Sequence, residues 1–242
     1  MTVAEEFLDR TRSYPIQYAS WLDRTASLNQ LANITLPEPR SEAWKYSNPN
    51  HWYGAGSAIS LNEFDVRVSS GVVMTNFDAA KKQERDLISS HLNSTIDNGR
   101  FPLAAINNVM LHTGLLIFVS PNLRAEIELG SIGGGYEHVL IVLGRDASAT
   151  LLERPGTPTH RIVETVLEEG ASLEHARLQT AARSTEYHLI STRVSTNAKY
   201  KLTTYAQGAA LRRNDIYIEA AGGNADIEVM GAWRLNEQQH LD

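Results

Sequence analysis

The sequence predicts a mainly β protein in which a helical, irregular N-terminal region, residues 1–110, precedes a run of strands over residues 111–242. Three observations carry that prediction. Strand centres recur about every 12 residues, near Ile117, Ile127, Ile141, Leu151, Val163, His175, Leu189, Leu202, Ile216 and Ile227. Several of these segments alternate with period two: Ala125, Ile127 and Leu129 oppose Glu126 and Glu128, and Tyr200, Leu202, Thr204 and Ala206 oppose Lys199, Lys201 and Thr203. No helical pattern interrupts the series. Ten such strands suit a sandwich, a barrel or a β-solenoid. The connections GSIGGGYEH, GRDAS, ERPGTPTH and EEGAS contain none of the Asn-Gly or Asp-Gly pairs of tight hairpins, which tilts the balance mildly towards a solenoid and leaves a sandwich nearly level with it.

The N-terminal elements follow from caps and breakers. Thr2 and Glu5 fit a capping box that opens a short helix, and Pro15 ends it. Ile16, Ala19, Trp21, Leu22, Leu28 and Leu31 outline a second helix, with a fair match to period 3.6. Pro37, Pro39 and Pro49 make LPEPRSEAWKYSNPNHW an extended linker, fastened by Trp44, Tyr46, Trp52 and Tyr53. Asp78 is placed to cap a third helix through AAKKQERDLISSHLNSTI, with Leu87, Ile88, His91 and Leu92 on one face, and Asn98-Gly99 ends it. PLAAINNVML reads as a helix with Pro102 at its first position.

Composition narrows the chemistry. With 242 residues, 42% hydrophobic and 21% charged, the chain has an ordinary globular make-up and length enough for a core. The absence of cysteine excludes disulfides, thiolate metal sites, a thiol nucleophile and any cysteine-ligated cluster held by this chain. A net charge of −6 offers no field for a nucleic-acid backbone. The acidic start MTVAEEFLDR is no signal peptide and no apolar run approaches the ~20 residues of a membrane span, so a cytoplasmic protein is expected. The Asn-x-Thr triplets at Asn33 and Asn93 are then chance matches.

No catalytic motif stands out. The glycines of SIGGGYEH lack a following Gly-Lys-Ser/Thr, and no Gly-x-Ser-x-Gly elbow occurs. The histidines (His51, His91, His112, His138, His160, His175, His188 and His240) include no zincin pair. His138, His175 and His188 lie on successive predicted strands, where a metal-binding stack competes with hydrogen-bonded structural roles; the structural reading is preferred, and Gln179 shares a face with His175 in a buried polar ladder. The acid pairs Glu5/Glu6, Glu126/Glu128 and Glu168/Glu169, and the basic pairs at 81–82 and 212–213, read as solvated surface. The expectation is a non-enzyme with no catalytic, cofactor-binding or metal-binding residues. A β-helix enzyme acting on polysaccharide is the alternative, and it calls for convergent acids along one sheet.

Three segments resemble a known family. SEAWKYSNP is similar to the E-x-W-[RK]-Y-[ST] signature near the start of the SufB/SufD family of iron–sulfur cluster assembly proteins. GAALRRNDIYI resembles its G-[GA]-x-x-x-R-[NS]-D strand, and MGAWRLNEQQHLD its G-x-[YF]-x-x-x-x-x-Q-x-x-D segment, with NEQQHLD especially like the SufD branch. AINNVMLHTGLLIFV and ASLEHARLQT match more weakly, in the same order. The resemblance implies a right-handed parallel β-helix after a helical region. It also implies a SufD-like scaffold without enzymatic activity that works with a SufB-like protein and SufC-like ATPase subunits, and SufD-like proteins are further associated with iron acquisition. No cofactor is held by this chain alone; an iron–sulfur cluster is met only transiently and with a partner. Arg213, Asn214, Asp215, Gln239 and Asp242 match family positions, with structural roles in turns and inner ladders expected. Thr113-Gly114 departs from the family's Asp-Gly. His240 belongs to the QQH signature and is not the family's cluster-ligand histidine. The family's pattern continues past Asp242, so an uncapped coil end is expected to be covered by self-association or by another protein; a self-associating solenoid that has lost assembly function is a further alternative.

Overall fold

The computed structural model describes residues 3–13, 18–53, 64–181, 183–236 and 238–242. All ten expected strand centres fall in strands: β3 (Thr113–Val119), β4 (Arg124–Leu129), β5 (Tyr136–Leu143), β6 (Ser148–Glu153), β7 (His160–Leu167), β8 (Ser172–Gln179), β9 (Thr185–Val194), β10 (Lys199–Gln207), β11 (Leu211–Ala220) and β12 (Asp226–Arg234). The odd- and even-numbered strands separate into two sheets. One runs β4-β6-β8-β10-β12 and the other β3-β5-β7-β9-β11, every neighbouring pair parallel. Each consecutive odd–even pair is therefore one coil of a parallel β-solenoid, and the sandwich alternative is closed.

The two sheets differ in pattern because they differ in cover. The odd sheet carries near-continuous apolar runs such as LLIFV in β3, and β5 and β7 are buried along their whole length, since helices cover the outer face. The even sheet alternates, β4 reading exposed–buried throughout, because its outer face meets solvent. Between them lies one core that includes Leu115, Ile117, Ile127, Ile141, Leu151, Val163, Leu173, Ile190 and Leu202.

Two short strands lie within the region that the sequence reading assigns to helices and irregular chain. β1 (Val66–Val68) and β2 (Val73–Asn76) pair antiparallel with β4 and β3, one on each sheet, and so cover the first coil's edges. Among the described residues four α-helices also form: α1 (Val3–Ser13), α2 (Arg24–Ala32), α3 (Lys82–His91) and α4 (Pro102–Met110). Thr2, Pro15 and Ile16 lie outside the described residues. The second helix starts later than its apolar pattern, because Ala19 takes a positive φ of 48° and Asp23 supplies the cap, its Oδ1 accepting from Ala26 N at 3.0 Å. Asp78 does not cap α3; it accepts from Ala19 N at 3.0 Å, and the Glu84 side chain folds back to Lys81 N instead. That helix ends at His91, short of the predicted stretch, where Asn93 turns to φ 62°. The linker forms single 3₁₀ turns at Glu42–Trp44 and Pro49–Trp52. Trp44, Trp52 and Tyr53 are buried as expected, whereas Tyr46 is 72% exposed, its ring beside the Lys45 ammonium.

The coil corners repeat. Asn122, Asp146, Gly170, Asn197 and Asn224 each take φ between 57° and 71°, two residues before the next even strand. These residue types tolerate the left-handed region at low cost. A small side chain follows at Ala147, Ala171 and Ala198, all buried at the corner.

Candidate functional site

Strand alternation sends a second set of side chains into the coil beside the apolar core, and many of them are charged. Glu137 on β5, Glu153 on β6, Arg161 on β7, His175, Arg177 and Gln179 on β8, Glu186 and His188 on β9, and Arg212 on β11 are all buried. Adjacent partners connect them into one ladder. Gly134 N donates to Glu137 Oε1 at 2.7 Å, and Arg161 reaches Glu137 at 2.8 Å and Glu153 at 3.0 Å. Glu153 also meets His175 Nε2 at 2.9 Å and Arg177 at 3.4 Å. Arg177 donates to His188 Nδ1 at 2.6 Å, His188 Nε2 donates to Glu186 at 2.8 Å, and Arg212 closes on Glu186 at 2.9 Å. Gln179 exchanges two hydrogen bonds with Asn214, the last rung.

Three buried glutamates thus face three buried arginines, which is how a low-dielectric interior tolerates them. Burial alone would raise Glu153 and Glu186. Arg177, His175 and Arg161 outweigh it at Glu153 and hold that carboxyl well below its usual range; His188 and Arg212 bring Glu186 down to about 2. At Glu137 burial wins over Arg161, and its pKa rises. His188 falls to about 4 through burial and then Arg177, as expected for an imidazole that must keep a bare Nδ1 for a guanidinium. The triple glycine of SIGGGYEH is a coil corner: Gly133, Gly134 and Gly135 all have positive φ, and an amide there holds Glu137 rather than a phosphate.

The ladder corrects two sequence readings. His138, His175 and His188 do not stack. His138 points to the helical side of the odd sheet, where its Nε2 lies 3.1 Å from Glu164 Oε2, while the other two lie inside the coil. The basic pair at 212–213 is not solvated surface either: Arg212 faces inward and is wholly buried, and Arg213 packs against the linker. Gln179 and His175 do share the buried face. Glu126 and Glu128 point outward and are exposed, Glu128 3.2 Å from Arg67 on β1. No group of three or more His, Asp or Glu residues suited to a metal ion occurs among the described residues.

The segments that carried the family resemblance meet in space. The Arg213 guanidinium lies 3.9 Å from the centre of the Trp44 ring and donates to Ala43 O at 2.9 Å and to Asp242 Oδ2 at 2.7 Å. Ser47 also donates to Asp242. Asp215 pairs with Arg213 at 3.0 Å and accepts from the Tyr187 hydroxyl at 3.0 Å. Burial and then the Asp215 carboxylate push the Tyr187 phenol far above its ordinary value, so it stays a donor. Residues 240–242 pair in parallel beside β11: Arg212 N donates to His240 O, Asn214 N to Asp242 O, and Asp242 N to Arg212 O. Gln239 Oε1 accepts from Asn236 N at 2.8 Å in the preceding turn. The clasp joins linker, β9, β11 and the last rung, and sequence reading missed it because its members are far apart in the chain. Its signal was the excess of linker aromatics beside an outward arginine.

The last full strand is different. β12 pairs with β10 on one edge, no described strand pairs with its other edge, and all its residues are exposed. Ile227, Val229, Met230 and Trp233 lie on it, Trp233 at 68% exposure, and Leu235 just after it is exposed as well.

Comparison with known proteins gives the coil a family. The model of the SUF system iron–sulfur cluster assembly SufBD core domain matches residues 127–242, from β4 through the clasp. The iron–sulfur cluster assembly SufBD family protein ycf24 of Pyropia yezoensis is 24% identical, over 72% of this chain and 40% of its own length. A SufBD family protein of Synechocystis sp. (strain PCC 6803) is 22% identical over 71% and 41%, and ycf24 of Porphyra purpurea 22% over 72% and 40%. The chain thus spans about two fifths of the length of these relatives. No described helix is long and apolar enough to cross a membrane. Residues 127–242, from inside the first coil to the last rung, thus match the SufBD core domain, and they are folded as a parallel β-solenoid.

Proposed function

We propose that this protein is a non-enzymatic, SufD-like scaffold component of iron–sulfur cluster assembly in the cytoplasm, acting through contacts with a SufB-like partner and a SufC-like ATPase. The observation that carries the reading is the core-domain match over residues 127–242. The printed names of the relatives agree with it. The ladder supports a scaffold role, since its buried acids and bases are engaged with one another along the coil and hold a rigid rod. The open edge of β12, with Trp233 and Val229 exposed beside it, supports action through protein contact, because unpaired strand edges bearing apolar groups are recognition surfaces. The NEQQHLD segment favours the SufD branch. A cluster is cargo here, met transiently and with a partner that brings thiolates.

Co-expression with the SufB-like and SufC-like proteins of the same genome, followed by size exclusion with light scattering, tests this. A hetero-complex that Trp233→Asp weakens is the expected result. A chain that stays apart from both proteins, alone or as a homodimer, would overturn the proposal.

A further inference from the structure

One row of the odd sheet is aromatic. The register sets Tyr136 on β5, His160 on β7 and Tyr187 on β9 side by side and places Arg213 of β11 next in line. Ring centres lie 4.5 Å apart for Tyr136 and His160, and 5.3 Å apart for His160 and Tyr187. The linker prolongs the row: Trp52 is 6.4 Å from Tyr187, and Trp44 is 5.8 Å from Trp52. Tyr136, His160, Tyr187 and Trp52 are wholly buried, and Trp44 is 7% exposed. Trp44, Tyr187 and Asp215 also line a cavity of about 290 Å³ beside the clasp. Indoles and phenols give up a single electron more readily than other side chains, and rings this close exchange one readily. The chain has no cysteine to compete with them.

What each ring can do with its proton decides where a hole comes to rest. Trp52 Nε1 is buried with no acceptor among the described residues, so an oxidised Trp52 keeps its positive charge and passes the hole on. Trp44 lies 3.9 Å from the Arg213 guanidinium, which disfavours a second positive charge on that ring. His160 is kept neutral by burial, its pKa lowered to about 4, and bridges the two tyrosines. Tyr187 differs from all of these. Its hydroxyl donates to Asp215 Oδ2 at 3.0 Å, and a carboxylate can take the proton outright. The Asp215 side chain is 16% exposed, which gives that proton a way to solvent. Tyr18 and Tyr53 instead donate to the main-chain oxygens of Gly114 and Pro37, which hold no proton. Tyr200 lies against His175 inside the coil, on the other side of the sheet from the row.

We propose that Tyr187 is a site of proton-coupled one-electron oxidation, reached through Trp44 and Trp52 by a high-potential metal complex acting as the oxidant. The oxidant takes one electron from Trp44 and is reduced by one electron. Tyr187 returns an electron to Trp44 by way of Trp52, so both indoles end as they began. The Tyr187 O–H bond breaks, an O–H bond forms at Asp215 Oδ2, and a neutral phenoxyl radical remains. Return of one electron and that proton restores the phenol. The row thus carries an oxidising equivalent from the clasp to a buried ring that stores it without charge. This activity goes beyond the assembly role and stands whether or not that role does.

The test is flash oxidation of the full chain at neutral pH with photogenerated tris(bipyridyl)ruthenium(III), read by transient absorption and by electron paramagnetic resonance of freeze-trapped samples. The reference chain carries Tyr46→Phe and Trp233→Phe, because those exposed rings would react directly. The expected result is a phenoxyl radical whose yield falls about tenfold or more in Tyr187→Phe and in Asp215→Asn, and whose formation slows about tenfold in Trp44→Phe. Formation should also slow in deuterated water. Asp215→Asn keeps an accepting oxygen and loses the proton acceptor, so a merely structural aspartate would leave the radical yield unchanged in the folded variant. Circular dichroism confirms folding, and Trp44→Phe decides the matter should the other two fail to fold. The proposal is overturned if the reference chain forms no phenoxyl radical. An unchanged yield in folded Tyr187→Phe or Asp215→Asn overturns it too, as does an unchanged rate in Trp44→Phe.

Discussion

Glu153→Gln should be among the most damaging single-atom changes available to this protein. The carboxylate is fully buried and meets three neighbours at once, the guanidiniums of Arg161 at 3.0 Å and Arg177 at 3.4 Å and the ring of His175 at 2.9 Å. An amide keeps the shape and removes the charge, leaving two buried guanidiniums with one carboxylate fewer. Breaking a buried pair from one side costs about 3–5 kcal/mol. The comparison is Glu128→Gln on the outer face, whose partner Arg67 is 78% exposed against its own 54%; that change should cost under about 1 kcal/mol. Urea unfolding followed by circular dichroism reads both. With a slope of about 3 kcal/mol per molar, as suits a chain of this size, Glu153→Gln should lower the midpoint by about 1 M or more and Glu128→Gln by about 0.3 M at most. If Glu153→Gln moves the midpoint by less than about 0.3 M, the ladder is not holding the coil as described, and the argument from its charge balance fails.

Four other outcomes follow from the same geometry. Acid should destabilise the coil in two stages: His160 and His188 are held at about 4, below an unfolded value near 6.5, so the unfolded chain gains protons first as pH falls through that interval, and Glu186, held at about 2, adds its loss below the ordinary carboxylate range; Glu137, whose pKa is raised, takes its proton in the folded state above that range and so opposes the first stage, and urea midpoints between pH 7 and 3 check the order. Asn197→Val, at φ 57°, should cost about 1–2 kcal/mol while Asn197→Gly stays near neutral, read by the same melts. Arg213→Leu should free Trp44 from its cation and release Asp242, seen as altered tryptophan emission and a lower melting temperature, with Arg213→Lys in between. Gly114→Ala should be poorly tolerated, because a Cβ there would lie 2.0 Å from Phe77 Cδ2; soluble yield and thermal melting report it, and a parent-like melt would count against this packing.

The strands were legible because burial sets their periodicity: Ile127 and Leu202 alternate with polar neighbours on the sheet that faces water, and β5 and β7 are apolar runs on the sheet that does not. The charged ladder was partly legible. Counting by twos from Leu151 reaches Glu153, and from His175 reaches Arg177 and Gln179, so strand parity alone places them inside. The usual preference of charged residues for solvent hid them, and it hid Arg212 most completely. The corners contained a readable repeat, Asp146-Ala147-Ser148, Gly170-Ala171-Ser172, Asn197-Ala198-Lys199 and Asn224-Ala225-Asp226, which resembles no hairpin turn because it bends the chain between two parallel sheets. The short strands β1 and β2 left little trace, since three or four residues that pair on one side carry almost no periodic signal. The contacts of Glu164 with His138, Asn93 and Thr95 left none, because they join strands and a turn that only the fold brings together.

The two kinds of corner divide the coil into a fixed side and a permissive side. The corners at residues 120–123, 144–147, 168–171 and 195–198 keep one length, the fifth at 221–225 is one residue longer, and each holds one left-handed residue, whereas those at 130–135, 154–159, 180–184 and 208–210 vary more in length and sequence. Change in such a rod is therefore absorbed along a single seam. A foreign loop spliced between Gly156 and Thr157, both exposed, should leave the fold standing, while the same loop between Asp146 and Ala147 should shear every later rung out of step. The seam is where this architecture has room to acquire new surface, and where a probe or a tether can be grafted without disturbing what lies inside.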